Sequence, residues 1–339
     1  MLSVPPGESL PGVTITSLIL IIGIIAGAVL GYTLPTAAQW LGAGVDYTLL
    51  ALVGVLFFGV RFGALFKAFR NLRFLMLALL ANFVAVPLIG YGIASLFLST
   101  HPLFMVGLVI YFMSPCTDWF LSFTRLCGGN VALGTALIPI NMAAQLLLYP
   151  FFLQWFTQNT VQVEAGTVGS ILLQWFLLPL IVAVVAHQLL RLVLSPGGFE
   201  RVLATADGVT PWLTALLVLQ IFAGNISVIL EHFAVVTWVL LAVFTFFVLT
   251  FLLSEGLSRL FQLPYSEYAL LTMTIAARNA PLMLAVTMAA LPDQPLIYAA
   301  LVIGMLVEFP HLAGLRRVLL IARKRRSQRM QVTTAKGNS

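Results

Sequence analysis

From Phe233 to Ser254 the chain runs for 22 residues without an Asp, Glu, Lys or Arg. A stretch of that kind has one home and one conformation. Crossing the hydrocarbon core of a bilayer takes about 20 residues of helix. Only a helix satisfies every backbone N–H and C=O inside the segment itself. Similar runs recur along the whole chain, at about 13–33, 46–61, 73–98, 103–126, 131–156, 168–194, 208–226, 233–254, 267–290 and 295–321. Only 8% of the 339 residues are charged, against roughly 25% in a soluble domain. The expected fold is an all-α polytopic membrane protein with ten transmembrane helices. It forms one transmembrane domain over residues 1–339, with a polar tail over about 323–339 expected to fray. The first residues hold Pro5, Pro6 and Pro11 and no Lys or Arg, unlike a cleaved leader, so the first run is expected to be a true span.

Charge sets the expected orientation. Arg61, Lys67, Arg70, Arg73, Arg125, Arg191, Arg201, Arg259, Arg316, Arg317 and the cluster Arg323 to Arg326 fall on one side of a ten-span arrangement. The alternate loops carry Asp46, Glu164, Glu231 and Asp293 and no Lys or Arg. The positive-inside rule then places both termini in the cytoplasm, in a plasma (inner) membrane protein. The basic tail follows a span directly, so topology and anionic-lipid contact account for it and no nucleic-acid partner is expected. Gly23, Gly27 and Gly31 permit close helix packing, within one protomer or between two; the oligomeric state stays open.

Spans one to five (about 13–156) and six to ten (about 168–321) read as two halves. Pro115 in the fourth span answers to Arg278 and Pro281 in the ninth, and Ile138-Pro139-Ile140-Asn141 answers to Glu308-Phe309-Pro310-His311. Five spans is an odd number, so the second half enters the membrane inverted. Inverted repeats with paired discontinuous helices mark secondary transporters, with the site between the breaks.

Both breaks carry chemistry that a lipid-facing helix does not need. Ser114-Pro115-Cys116-Thr117-Asp118 interrupts the fourth span, because proline removes a donor and clashes with the preceding turn. Thr274-Ile275-Ala276-Ala277-Arg278-Asn279-Ala280-Pro281 interrupts the ninth. Asp118, Arg278 and Glu308 lie near span centres, where a lone charge costs several kcal/mol and usually marks function. An Asp118–Arg278 pair across the breaks is the expected neutralising arrangement, leaving Glu308 to bind and release a proton. A structural ion pair that only fixes helix register is the competing reading.

Cys116 reads either as a small buried hydrophobe or as a soft ligand for trivalent arsenic or a d¹⁰ metal. Asn141 and Asn279 offer neutral oxygen ligands at matching depth, or amides that satisfy local backbone. Cys116 and Cys127 are separated by about 16 Å of helical rise, too far for a disulfide. His101, His187, His232 and His311 show no metal-ligand spacing. No P-loop, nucleophile elbow or zinc motif occurs, so neither an enzyme nor a cofactor is expected.

These stretches resemble the bile acid:sodium symporter superfamily, and within it the arsenical-resistance arsenite permeases. The likeness rests on Ser114–Asp118 through Thr124-Arg125-Leu126-Cys127-Gly128-Gly129-Asn130-Val131-Ala132-Leu133, on Ala276–Pro281, and on Gly304-Met305-Leu306-Val307-Glu308-Phe309-Pro310. The resemblance implies ten spans, crossed breaks in spans four and nine, and a functional pair at Cys116 and Glu308. The chain departs from the sodium-coupled branch where Thr274 stands for an acidic residue and Arg278 for a neutral one. A fixed guanidinium repels sodium. It departs from the arsenite branch at Leu282 and Met283, where an acidic residue is usual, and at Asp118. The expected function is proton-coupled export of arsenite or antimonite. Cys116, Asn141 and Asn279 would meet the solute, and Glu308, Asp118 and Arg278 would serve coupling. The rivals are a cation-coupled organic-anion symporter, with Arg278 holding a carboxylate, and a membrane sensor that binds without transporting.

Overall fold

A computed structural model describes residues 11–59, 71–116, 119–157 and 177–337. Every regular element among them is a helix. In chain order these are α1 (Pro11–Thr33), α2 (Pro35–Gly42), α3 (Val45–Phe58), α4 (Leu72–Leu98), α5 (Pro102–Phe112), α6 (Trp119–Cys127) and α7 (Val131–Thr157). Then follow α8 (Leu178–Val193), α9 (Pro196–Glu231), α10 (Phe233–Leu260), α11 (Tyr265–Ala276), α12 (Ala280–Ala290) and α13 (Pro295–Gly337).

Among the described residues, five stretches suffice by length and composition to cross a membrane: α4, Val131–Tyr149 of α7, α9, α10 and Pro295–Arg325 of α13. The pair α2–α3, bent by 45°, makes a sixth. α2 occupies a stretch expected to be a linker; Pro35 fits its first turn, where no backbone donor is needed. The tail expected to fray instead continues α13 to Gly337. Its Arg, Lys, Gln and Met residues favour helix. α5, α6, α11 and α12 are short because they are the halves of the interrupted runs at 103–126 and 267–290. One turn of α4, Ala81–Ala85, is π-helical, a deviation that often marks a functional position.

The packing is inside out relative to a soluble protein. Leu88, Leu96, Leu192, Val193 and Phe244 are exposed, while Asn82, Asn141, Thr274, Arg278, Asn279 and Glu308 are buried. The glycine ladder lies inside the protomer, against α9. A Cβ on Gly23 would stand 2.8 Å from the Ala215 carbonyl oxygen, and those on Gly27 and Gly31 would strike the carbonyls of Leu219 and Ala223. Both series advance in fours in the same sense, so the two helices run parallel. Near the site, Gly107 of α5 lies against the Ile297 carbonyl of α13, and Gly304 of α13 lies against the Tyr111 ring. α5 is thereby seated directly on α13, which fixes how Tyr111 approaches Glu308.

Candidate functional site

α5 stops at Phe112 and α11 at Ala276, and the extended segments that follow run antiparallel past each other. The Cys116 N–H donates to the Ala277 carbonyl at 3.0 Å, and the Asn279 N–H donates to the Ser114 carbonyl at 2.9 Å. Both bonds belong to residues flanking the facing pair Pro115 and Arg278. In this type of antiparallel pairing the facing residues exchange no bond of their own. The missing N–H of Pro115 therefore leaves nothing unpaired at the bridge. The Arg278 N–H stays free for another acceptor, and Glu308 supplies it: Oε1 accepts that N–H at 3.0 Å. The second break restarts as α12 with Asn279 as its N-cap and Pro281 in its first turn, where proline is tolerated.

Breaking two helices strands the carbonyls of their last turns, and donors reach those of Val109 to Phe112 and of Met273 to Ile275. The Ser114 hydroxyl donates to the Ile110 carbonyl at 2.6 Å, and the Met113 N–H donates to the Val109 carbonyl. The Arg278 guanidinium spans both ends. Nη1 donates to the Phe112 carbonyl of α5 at 2.8 Å, while Nη2 donates to the Thr274 carbonyl of α11 at 3.1 Å and to the Ile275 carbonyl. The cation also lies over the Phe246 ring, 5.7 Å from its centroid, and Phe246 stacks on Phe112. Arg278 is 0% exposed. It is a buried charge whose guanidinium bonds backbone carbonyls and faces an aromatic ring, with the Glu308 carboxyl held close by on its own backbone N–H.

Glu308 hangs from α13 beneath this crossing, and its Oε2 accepts the Tyr111 hydroxyl at 3.1 Å. A polar layer borders the α11 end. The amide nitrogens of Asn82 (α4) and Asn141 (α7) donate to the Thr274 hydroxyl at 3.2 and 3.3 Å. Gln145 contacts the Met283 sulfur, and Tyr149 shares a hydrogen bond with Thr287. The Oδ1 atoms of Asn82 and Asn141 and the Oε1 of Gln145 are buried without a hydrogen-bond partner in the structure. Orphaned acceptors of this kind are suited to receive hydrogen bonds from a bound solute or water.

The structure thus gathers Cys116, Arg278, Asn279 and Glu308 at one crossing, with Asn141 one residue layer away through Thr274. Asp118, expected to pair with Arg278, lies outside the described residues. Cys116 and Cys127 are both buried and form no disulfide. Cys127 belongs to the end of α6, where its carbonyl accepts the Tyr265 hydroxyl. Among the described residues no group of three or more His, Cys, Asp or Glu is placed to hold a metal ion. Sequence reasoning passed over Tyr111, Asn82 and Gln145. The only available signal was a single polar side chain in the middle of an apolar run.

Comparison with known proteins points the same way. Over 213 residues the chain is 24% identical to the probable sodium/metabolite cotransporter BASS2, chloroplastic, of Oryza sativa subsp. japonica, covering 61% of this chain and 48% of that protein. Over 257 residues it is 24% identical to the arsenical-resistance protein Acr3 of Corynebacterium glutamicum, covering 72% of this chain and 69% of that one. The chain therefore spans about half the length of the rice relative and about two thirds of the bacterial one. The model of the Sodium Bile acid symporter family matches residues 48–232, more than half of the chain, and the chain belongs to that family.

Proposed function

We propose that this protein is a secondary active transporter that exports arsenite or antimonite in exchange for protons. It would work as a ten-span, five-plus-five inverted repeat in a plasma (inner) membrane with both termini cytoplasmic. The observation that carries the reading is the antiparallel bridge of Pro115 and Arg278, with the buried carboxyl of Glu308 bound to its backbone. A pair of broken helices held by two backbone bonds is the element that alternating access can open from either side. Parallel packing of α1 with α9 also suits a ten-span count, which makes spans one and seven run the same way.

Arsenite as the solute is supported by chemistry at the crossing and by the name of the Corynebacterium relative. Undissociated arsenous acid offers both O–H donors and a thiophilic centre. Asn82, Asn141 and Gln145 present unpaired acceptor oxygens, and Cys116 supplies the one thiol at the break. Glu308 carries the proton in this scheme, and Asp118 with Arg278 holds the crossed helices. In everted membrane vesicles, arsenite accumulation driven by a pH gradient should be seen with wild type and lost in Cys116→Ser and Glu308→Gln. Equal accumulation by either variant would sink the assignment.

A second reading, cation-coupled symport of an organic anion, draws on the rice relative, a probable sodium/metabolite cotransporter, and on the same amide oxygens, which also suit a cation. Its form with Arg278 gripping a substrate carboxylate fits the geometry poorly, because both terminal nitrogens already serve backbone carbonyls. Sodium-stimulated uptake that survives collapse of the pH gradient would favour it.

A further inference from the structure

At the crossing, two helix C-termini aim their carbonyl oxygens at one spot, and a side chain of the protein fills that spot. Each C-terminus carries about half a negative elementary charge. In transporters built on broken helices, such ends and the unwound carbonyls beside them coordinate the coupling cation. Here the Phe112 carbonyl of α5 and the Thr274 and Ile275 carbonyls of α11 converge on the Arg278 guanidinium.

We propose that Arg278 is a resident substitute for the coupling cation: its guanidinium occupies the position between the half-helix ends, neutralises both, and makes closure of the crossing independent of sodium. Three features of the site support this. The guanidinium bonds carbonyls from both helices, as a shared metal ion would. It is fully buried and covalently part of the chain, so it cannot dissociate or be diluted as a dissolved ion can. Its place is set mechanically, because Phe246 lies under the guanidinium and stacks on Phe112, the residue whose carbonyl takes one of the bonds. A sodium ion entering the same carbonyl set would meet a fixed positive charge at contact distance, in a region of low dielectric. This inference goes beyond the transport reading, since it concerns what closes the crossing and not which solute passes.

The test is thermal unfolding of the full-length protein in detergent, followed by labelling of the buried thiols Cys116 and Cys127 with a thiol-reactive fluorophore. No solute is present, so its outcome is separate from that of the arsenite assay. Wild type should melt at the same temperature, within about 1 °C, in sodium, potassium and choline chloride of equal ionic strength, because an ion that does not bind the folded state shifts nothing. Arg278→Ala and Arg278→Gln should melt lower in choline and recover by about 3 °C with sodium or methylguanidinium in tenfold excess over its Kd. Arg278→Lys keeps the charge and should stay insensitive to the salt. Sodium-dependent melting of wild type overturns the proposal, as does identical melting of both neutral variants in every salt. Where neither neutral variant survives purification, wild type and Arg278→Lys decide: sodium dependence in either overturns it, and insensitivity in both supports it.

Discussion

The α1–α9 seam and the α5–α11 crossing both bring backbones into contact, by opposite means. Along the seam, Gly23, Gly27 and Gly31 let intact helices touch the carbonyls of Ala215, Leu219 and Ala223. Those carbonyls keep their own helical bonds, so the contact needs no polar side chain. At the crossing the helices are broken, and the approach leaves carbonyls that only an outside donor can satisfy. Arg278 and Ser114 are buried there for that reason. Buried polar groups at the crossing thus meet backbone released from its helix, whereas those of intact helices, such as Thr250 and Ser254, bond carbonyls of their own turn. The expected division is stability at the seam and transport at the crossing.

Variants can test that division. The largest effect is expected at the crossing, from Glu308→Gln. The amide keeps the size of the side chain and an acceptor for the Arg278 N–H, but no longer exchanges a proton. Proton-driven export should fall to the level of vesicles without the protein, while the amount of folded protein in the membrane stays near wild type. Gly27→Leu should do the reverse. Its side chain would run into the Leu219 carbonyl, and overpacking of this kind costs about 3 kcal/mol. Yield and melting temperature should drop, while whatever folds exports with an unchanged KM. If Gly27→Leu altered the KM and left stability intact, the two regions would not be separate. Thr274→Val comes next. It preserves shape but removes the hydroxyl that accepts from both Asn82 and Asn141, leaving buried donors unpaired at about 2 kcal/mol. Export should fall together with thermal stability, which differential scanning fluorimetry and vesicle transport would measure on one preparation.

How much of this was legible beforehand follows from which signals are local. Pro115 and Pro281 sit among polar residues in otherwise apolar runs, so both breaks could be read directly, and so could the glycine ladder, from its spacing of four. Its partner could not, since α9 shows no complementary pattern and merely presents carbonyls. Charge reasoning pairs Arg278 with Asp118, which lies outside the described residues, and it gives no view of the helix ends that the guanidinium also meets. The guanidinium's carbonyl partners exist at the end of every helix, and only the crossing angle reveals which of them face it. The π-helical turn at Ala81–Ala85 has no composition of its own, so Asn82 looked like an ordinary polar residue in a span. α2 was read as a linker because its eight residues are too few to register as a membrane run.

The smallest predicted effect probes how finely the crossing is built. Tyr111 reaches Glu308 only because Gly304 leaves room for its ring; a Cβ there would lie 2.8 Å from ring atoms. Tyr111→Phe keeps the ring and deletes one of the two described hydrogen bonds to the carboxyl, the other coming from the Arg278 backbone. A single hydrogen bond is worth about 1 kcal/mol net, so export should slow by about fivefold with little change in melting temperature. Gly304→Ala displaces the same ring and should cost more than deleting its hydroxyl. If Gly304→Ala exports like wild type while Tyr111→Phe does not, the ring is free to shift. The seating of α5 on α13 would then be looser than the Gly107 and Gly304 contacts require.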